Sequence, residues 1–215
     1  MNTSDNIIEK AGDLFMQYGL KSISMDEVAR KLGISKKTLY RHVNNKADLV
    51  QKVMVKHIEE EKQAMDLIHA TATNAIDEMM QISRFVSQLL QKINPTVIYD
   101  LKKYYAKGWE LMESLHFEHT YMIIKSNIER GIGEDLYRVE LNADVIAKLY
   151  IGRMDLVVDK NLFPIGEYTF SQIHDNFMTY HLFGIMSPKG IDVFRAYMDS
   201  ESIKTQHKNQ INYIN

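Results

Sequence analysis

Residues 24–46, SMDEVARKLGISKKTLYRHVNNK, decide how the rest of the chain is understood. Ser24 suits an N-cap, and Glu27 stands three residues on as the partner of a capping box, so a helix is expected to begin at Met25. Met25, Val28, Ala29 and Leu32 fall at i, i+3, i+4 and i+7, one apolar face of a 3.6-residue period. Gly33 tolerates the left-handed backbone that ends a helix, Ile34 folds back, and Ser35 caps a second helix expected to run to about His42. Helix, glycine turn and helix together make a helix-turn-helix, and eight residues at 1.5 Å span about 12 Å, the width of a DNA major groove.

With Leu39 directed into the core, Lys37 and Arg41 lie about 160° away on a helical wheel, on the outward crest, with Thr38 and Tyr40 on the flanks. Crest side chains would reach base edges and flank side chains phosphates. Lys36 sits in the first turn, where a cation opposes the helix dipole, so its charge points to a nearby phosphate. The candidate DNA-contacting set is Ser24, Ser35, Lys36, Lys37, Thr38, Tyr40, Arg41, His42 and Lys46.

Ala11, Leu14-Phe15 and Gly19, then Val28-Ala29, Leu32-Gly33-Ile34-Ser35, Thr38-Leu39-Tyr40, His42, and Lys46 with Leu49 carry a resemblance over about 45 residues. In these positions the chain resembles the N-terminal domain of the TetR (tetracycline repressor) family of bacterial regulators. Lys37 stands where that family often has a small residue, and Val43 where it usually has Phe. The resemblance implies that Tyr40, His42 and Lys46 contact phosphate. It also implies a fourth helix linking reader and body, a four-helix dimer interface, and release from DNA by a small molecule.

Composition agrees with a globular all-α protein: 215 residues, 25% charged, 45% hydrophobic. Cysteine is absent, which excludes disulfides, cysteine-ligated zinc and thiol redox sensing. No signal-like N-terminus is present, and no apolar run approaches the roughly 18 residues of a membrane span, so a cytoplasmic protein is expected. Residues 1–56 hold ten Lys and Arg against six Asp and Glu, while the remainder is acidic. A basic module on an acidic body suits binding phosphate through one end.

The expected organisation is a three-helix DNA-binding domain over 1–46, a helical body over 47–200 in which 47–68 is the linking helix, and a flexible polar tail over 201–215. Within the body a sixth helix is expected over 96–113 and a seventh over 118–130. Residues 143–158 and 170–186 are apolar around more of their circumference than one stripe, as expected of helices buried on two sides, one against a second copy of the chain. Tyr104, Tyr105, Trp109, Tyr121, Met122, Tyr150 and Met154 are the candidate wall of a pocket for an apolar or amphipathic small molecule.

His57 beside Glu59-Glu60-Glu61 reads as a solvated face, and the pairs His116/His119 and His174/His181 lack a third ligand, so no metal is assigned. No phosphate-binding glycine loop, HExxH or G-x-S-x-G elbow occurs, and no cofactor is expected. The expected function is a dimeric, sequence-specific transcriptional regulator, a repressor leaving a palindromic operator when a small molecule binds. A DNA-organising protein without an effector, or a helical enzyme or carrier for an apolar molecule, are the alternatives.

Overall fold

The computed structural model describes residues 3–94, 96–157, 159, 161–164 and 166–212; the side chains of residues 3, 111–112, 115–116, 154–155, 157 and 201–212 lie outside the description. The described elements are α1 (Thr3–Tyr18), α2 (Met25–Lys31), α3 (Lys36–Leu39), α4 (Lys46–Thr71), α5 (Ala75–Lys92), α6 (Thr96–Tyr104), α7 (Ala106–Gly133), α8 (Ala143–Val157), α9 (Phe170–Ile185) and α10 (Pro188–Asn212). An isolated antiparallel bridge pairs Tyr137 with Met186, and the described residues form no longer strand. The protein is therefore all-α.

Within the body, two stretches differ from the sequence reading. The chain breaks at Tyr105, with φ −131° and ψ 46°, and α7 then runs unbroken to Gly133. His116 and His119 thus share one helix; the side chain of His116 lies outside the described residues, and His119 Nε2 is 3.0 Å from Asp66 Oδ1. Nothing between 113 and 118 is a helix breaker, so the longer helix costs no backbone hydrogen bond. α10 extends to Asn212, past Asp199 where fraying was expected.

Packing divides into two main cores. The first gathers Ile7, Ala11 and Phe15 of α1, Val28 of α2, Leu39 of α3 and Leu49 and Val53 of α4, and is completed by Val97 and Leu101 of α6. Backbone bonds fasten the same seam. Asn94 N–H donates to the Met16 carbonyl at 3.0 Å, and Lys21 N–H to buried Asp100 Oδ2 at 2.9 Å. Gly19 is required there, since its φ is +84° and a Cβ would lie 2.7 Å from Thr96 Oγ1.

The second core joins α5, α7, α8 and α9 through Ile76, Met79, Ile124, Ile128, Ala147, Met178 and Leu182. Tyr137 anchors it. Its hydroxyl lies 3.1 Å from the Ala75 carbonyl and 3.1 Å from Asn127 Oδ1, which satisfies a fully buried phenol. Glu78, wholly buried, is held by Arg130 Nη1 at 3.2 Å and His69 Nδ1 at 2.7 Å.

Gly131 lets the Tyr137 ring lie against α7, because a Cβ there would stand 2.1 Å from Tyr137 Cδ2. Gly131→Ala must push the ring off its two acceptors and should cost about 1–3 kcal/mol of unfolding free energy in urea. An unchanged midpoint would show that the ring relocates without loss.

Candidate nucleic-acid interface and internal cavity

The capping box on α2 forms as the sequence implies: Ser24 N–H donates to Glu27 Oε2 at 2.7 Å, and Glu27 N–H donates to Ser24 Oγ at 3.2 Å. The Ser24 N–H, and after it the Ser24 hydroxyl, donate to the Glu27 carboxylate and hold its pKa below the usual value. Leu32 ends the helix, and Gly33 at φ +68° turns the chain so that Ile34 N–H reaches the Ala29 carbonyl at 3.0 Å. Ser35 Oγ then accepts from Thr38 N–H at 3.0 Å and lies 2.8 Å from Thr38 Oγ1.

α3 is shorter than the sequence reading, ending at Leu39 rather than about His42. Arg41 N–H bonds to the Thr38 carbonyl and His42 N–H to the Leu39 carbonyl, three residues back, so the last turn tightens. Lys52 clamps that turn from α4, donating to the His42 carbonyl at 2.9 Å and to Asp48 at 3.1 Å.

The cations of this surface divide by partner. Lys36 Nζ is 2.7 Å from Asp26 Oδ1, and that hydrogen bond raises its pKa. Lys46 Nζ donates to the Ile23 carbonyl and ties the start of α4 to the loop before α2, while desolvation lowers its pKa. The side chains of Lys37 and Arg41 are exposed and have neither hydrogen bond nor ion pair among the described residues. Tyr40 is 42% exposed, His42 partly exposed, and Leu39 fully buried beneath them. Ser24, Ser35 and Thr38 spend hydroxyl bonds on the caps.

A cavity of about 590 Å³ lies behind this domain, enclosed by α4, α5, α6 and α7 and closed by α8 and α9. α5 supplies Ile82, Phe85, Val86, Leu89 and Leu90, Ile93 follows at its C-cap, and α7 supplies Trp109, Glu113, Phe117 and Thr120. Met16, Met54, Ile93, Val97, Leu101 and Trp109 line the cavity and also pack in the N-terminal core.

Of the residues singled out from sequence, Trp109 and Tyr150 line this cavity. Tyr105 packs against the N-terminal core. Tyr104 is 46% exposed and its hydroxyl accepts from Lys21 at 3.3 Å; Met122 is 59% exposed; Tyr121 donates to Asp144 at 2.6 Å on another side of α7. The side chain of Met154 lies outside the described residues. On an unbroken α7, Tyr121 and Met122 are turned by about 100° and 200° from Thr120, which moves them off the cavity stripe. In the sequence Ile76, Met79/Met80, Phe85/Val86 and Leu89/Leu90 keep helical spacing, an apolar face that any core helix also has.

One end of the cavity is polar. Arg153, 8% exposed, donates from Nε to the Tyr150 carbonyl at 3.1 Å, and its Nη1 lies 3.1 Å from His174 Nδ1. An arginine can only donate, so His174 Nδ1 accepts and its Nε2–H donates to the Ser83 carbonyl at 3.2 Å. Burial, then the neighbouring guanidinium, pushes the His174 pKa down to about 4, and the same two causes bring His181 to about 4. Among the described residues no three His, Cys, Asp or Glu gather as a metal-binding set, and no helix is long and apolar enough to cross a membrane.

Comparison with known proteins agrees with this geometry. The profile described as Bacterial regulatory proteins, tetR family, matches residues 7–53. Over 167 residues the chain is 27% identical to the uncharacterized HTH-type transcriptional regulator YvaF of Bacillus subtilis (strain 168), covering 75% of this chain and 86% of that one. An HTH-type transcriptional regulator of Staphylococcus aureus (strain USA300) is 38% identical over 81 residues, 36% of this chain and 41% of the relative. A transcriptional regulator of the TetR family from Agrobacterium tumefaciens superposes with a TM-score of 0.67, covering 86% of this chain and 97% of its own, at 16% identity, a likeness of fold.

The two buried histidines give stability a pH dependence. Unfolded, both titrate near the ordinary 6.5; folded, near 4, so between these values the unfolded chain binds more protons. Stability should be complete above that range and decline as pH falls through it, by about 2 kcal/mol per histidine at about pH 5. Urea titrations at about pH 7.5 and 5 measure it, and His174→Gln should flatten the slope. A flat profile in the parent protein would show the imidazoles already protonated when folded.

Proposed function

The chain belongs to the TetR family of transcriptional regulators, and from that premise we propose that it is a homodimeric repressor released from a palindromic operator by a small molecule in the α4–α7 cavity. The observation that carries this is the shared wall: six side chains pack under the helix-turn-helix and border the cavity at once. An occupant that moves them moves the foundation of α3. Such a ligand acts by preferring the arrangement that does not fit DNA, since only differential affinity shifts a two-state equilibrium.

In this proposal Lys37 and Arg41 read bases, because they alone among the candidate cations of α3 and its turn have no partner to give up. Tyr40, His42 and the cap hydroxyls of Ser24, Ser35 and Thr38 border the groove and meet phosphate, and Lys36 exchanges Asp26 for it. Lys46 acts through its bond to Ile23 by fixing where α4 begins. The second copy docks on α8 and α9, where Leu149, Leu156, Tyr180 and Phe183 are 66%, 55%, 79% and 52% exposed. Gly184 lies among them with open space around its missing Cβ.

Selection of bound duplexes from a random DNA pool tests the reading directly. A recovered palindrome is expected, and sites without two-fold symmetry would end the dimeric reader. Against the selected site, Lys37→Ala or Arg41→Ala should cost about 1–3 kcal/mol and relax preference at one base pair per half-site. Uniform loss over all sequences would transfer base reading to Thr38 or Lys36.

The dimer has its own test. The parent chain should scatter light as twice 25.0 kDa, whereas Gly184→Arg, whose Cβ meets nothing within 4 Å in one protomer, should give a folded monomer with weakened operator binding. A dimer that survives this substitution would move the interface away from the α8–α9 face.

A further inference from the structure

Arg153 presents a charge that the protein does not neutralise. Its guanidinium carbon lies 4.1 Å from the ring centres of both Tyr150 and Phe177, so aromatic rings border the cation. Two of its nitrogens bond to neutral acceptors, the Tyr150 carbonyl and His174 Nδ1, and Nη2 makes no hydrogen bond among the described residues. Among the described residues no carboxylate pairs with it. The acidic residues that border the cavity, Glu60, Glu61 and Glu113, are exposed or partly exposed, and Glu60 is paired with Lys56 at 3.5 Å. A buried cation without a counter-ion is costly, and the cost is removed when an anion arrives.

The guanidinium is also fixed in place. The Ser83 carbonyl orients His174 so that its Nδ1 lone pair faces Arg153, and this hydrogen-bonded chain from α5 through α9 to α8 holds the arginine at the cavity. Close by, His181 Nε2 is buried without a hydrogen-bond partner; its ring stacks on Phe177 at 5.6 Å and meets Tyr150 edge-on at 5.1 Å. Arg153 thus brings to the cavity a hydrogen-bonding capacity that the described residues leave unsatisfied.

We propose that the cavity takes an amphipathic monoanion, its carboxylate on the free edge of Arg153 and its apolar body along the α5 stripe of Phe85, Val86, Leu89 and Leu90. This rests on the reading of the cavity as the effector site and adds the chemistry of the effector. A dianionic phosphate would call for a second cation, and among the described residues the other basic side chains bordering the cavity are His57 and the neutral His174. A neutral apolar ligand would fill the body of the cavity and leave the guanidinium uncompensated. The exposed carboxylates repel the same anion from the outer part of the cavity, which favours head-inward entry.

The test pairs n-alkanoates of about eight to sixteen carbons with their methyl esters, titrated into the full-length chain and followed by calorimetry and by the emission of Trp109, the single tryptophan, on the cavity wall. The acids should bind about 10- to 100-fold more tightly than the esters. That preference should vanish in Arg153→Gln and persist in part in Arg153→Lys, with ester affinity little changed. The acid–ester comparison in the parent chain needs no variant, so a poorly folded substitution does not remove the test. Equal affinity of acid and ester, or a preference that survives Arg153→Gln, overturns the anion assignment and leaves the cavity an effector site for neutral molecules. Absence of binding by every acid and ester overturns the assignment together with the reading of the cavity on which it rests.

Discussion

The N-terminal helices cannot complete their core alone. Val97 and Leu101 of α6 are almost fully buried among Phe15, Leu20 and the apolar side of α4, and burying two such side chains contributes about 1.5–3 kcal/mol each. Asp100, between them in sequence, accepts the Lys21 N–H, so the carboxylate that the seam buries is satisfied by the backbone of the loop after α1. Because α6 is shared, the α2–α3 unit has no fixed position independent of the body. The opposite side of the same residues is open to the cavity. Packing that is dense on one side and open on the other allows a cavity occupant to be felt at a surface it never touches.

Electrostatics at the helix-turn-helix follows a related economy. Asp26 holds Lys36 across the start of the two helices, Lys46 reaches the Ile23 carbonyl, and Lys52 secures the His42 carbonyl. Three of the five lysines and arginines between residues 36 and 52 thus brace the fold, and the two left over are on the outward side of α3. At the far end of the molecule the balance is reversed. Among the described residues Arg153 is braced by neutral groups only, on the wall of a cavity whose carboxylates, Glu60, Glu61 and Glu113, come from α4 and α7.

Much was legible in the residues by themselves. Ser24 with Glu27, Gly33 at positive φ, and Ser35 before Thr38 act through contacts two to five residues away, so local chemistry was enough to mark both caps and the turn. The buried face of α2 followed from apolar period, and the breadth of apolar character on α8 and α9 appears as Leu149 and Tyr180 left facing solvent. What only the tertiary structure decided depends on distant parts of the chain. The α6–α7 break falls at Tyr105, where no proline or glycine marks it. Lys46 meets a carbonyl 23 positions earlier, and Arg153 meets a histidine 21 positions later. The stripe on α5 was visible as inward-facing, yet periodicity records only that a face avoids water, not whether packed side chains or a cavity lie opposite. Those partners are set by how the helices are stacked, which a single residue's neighbours in sequence do not encode.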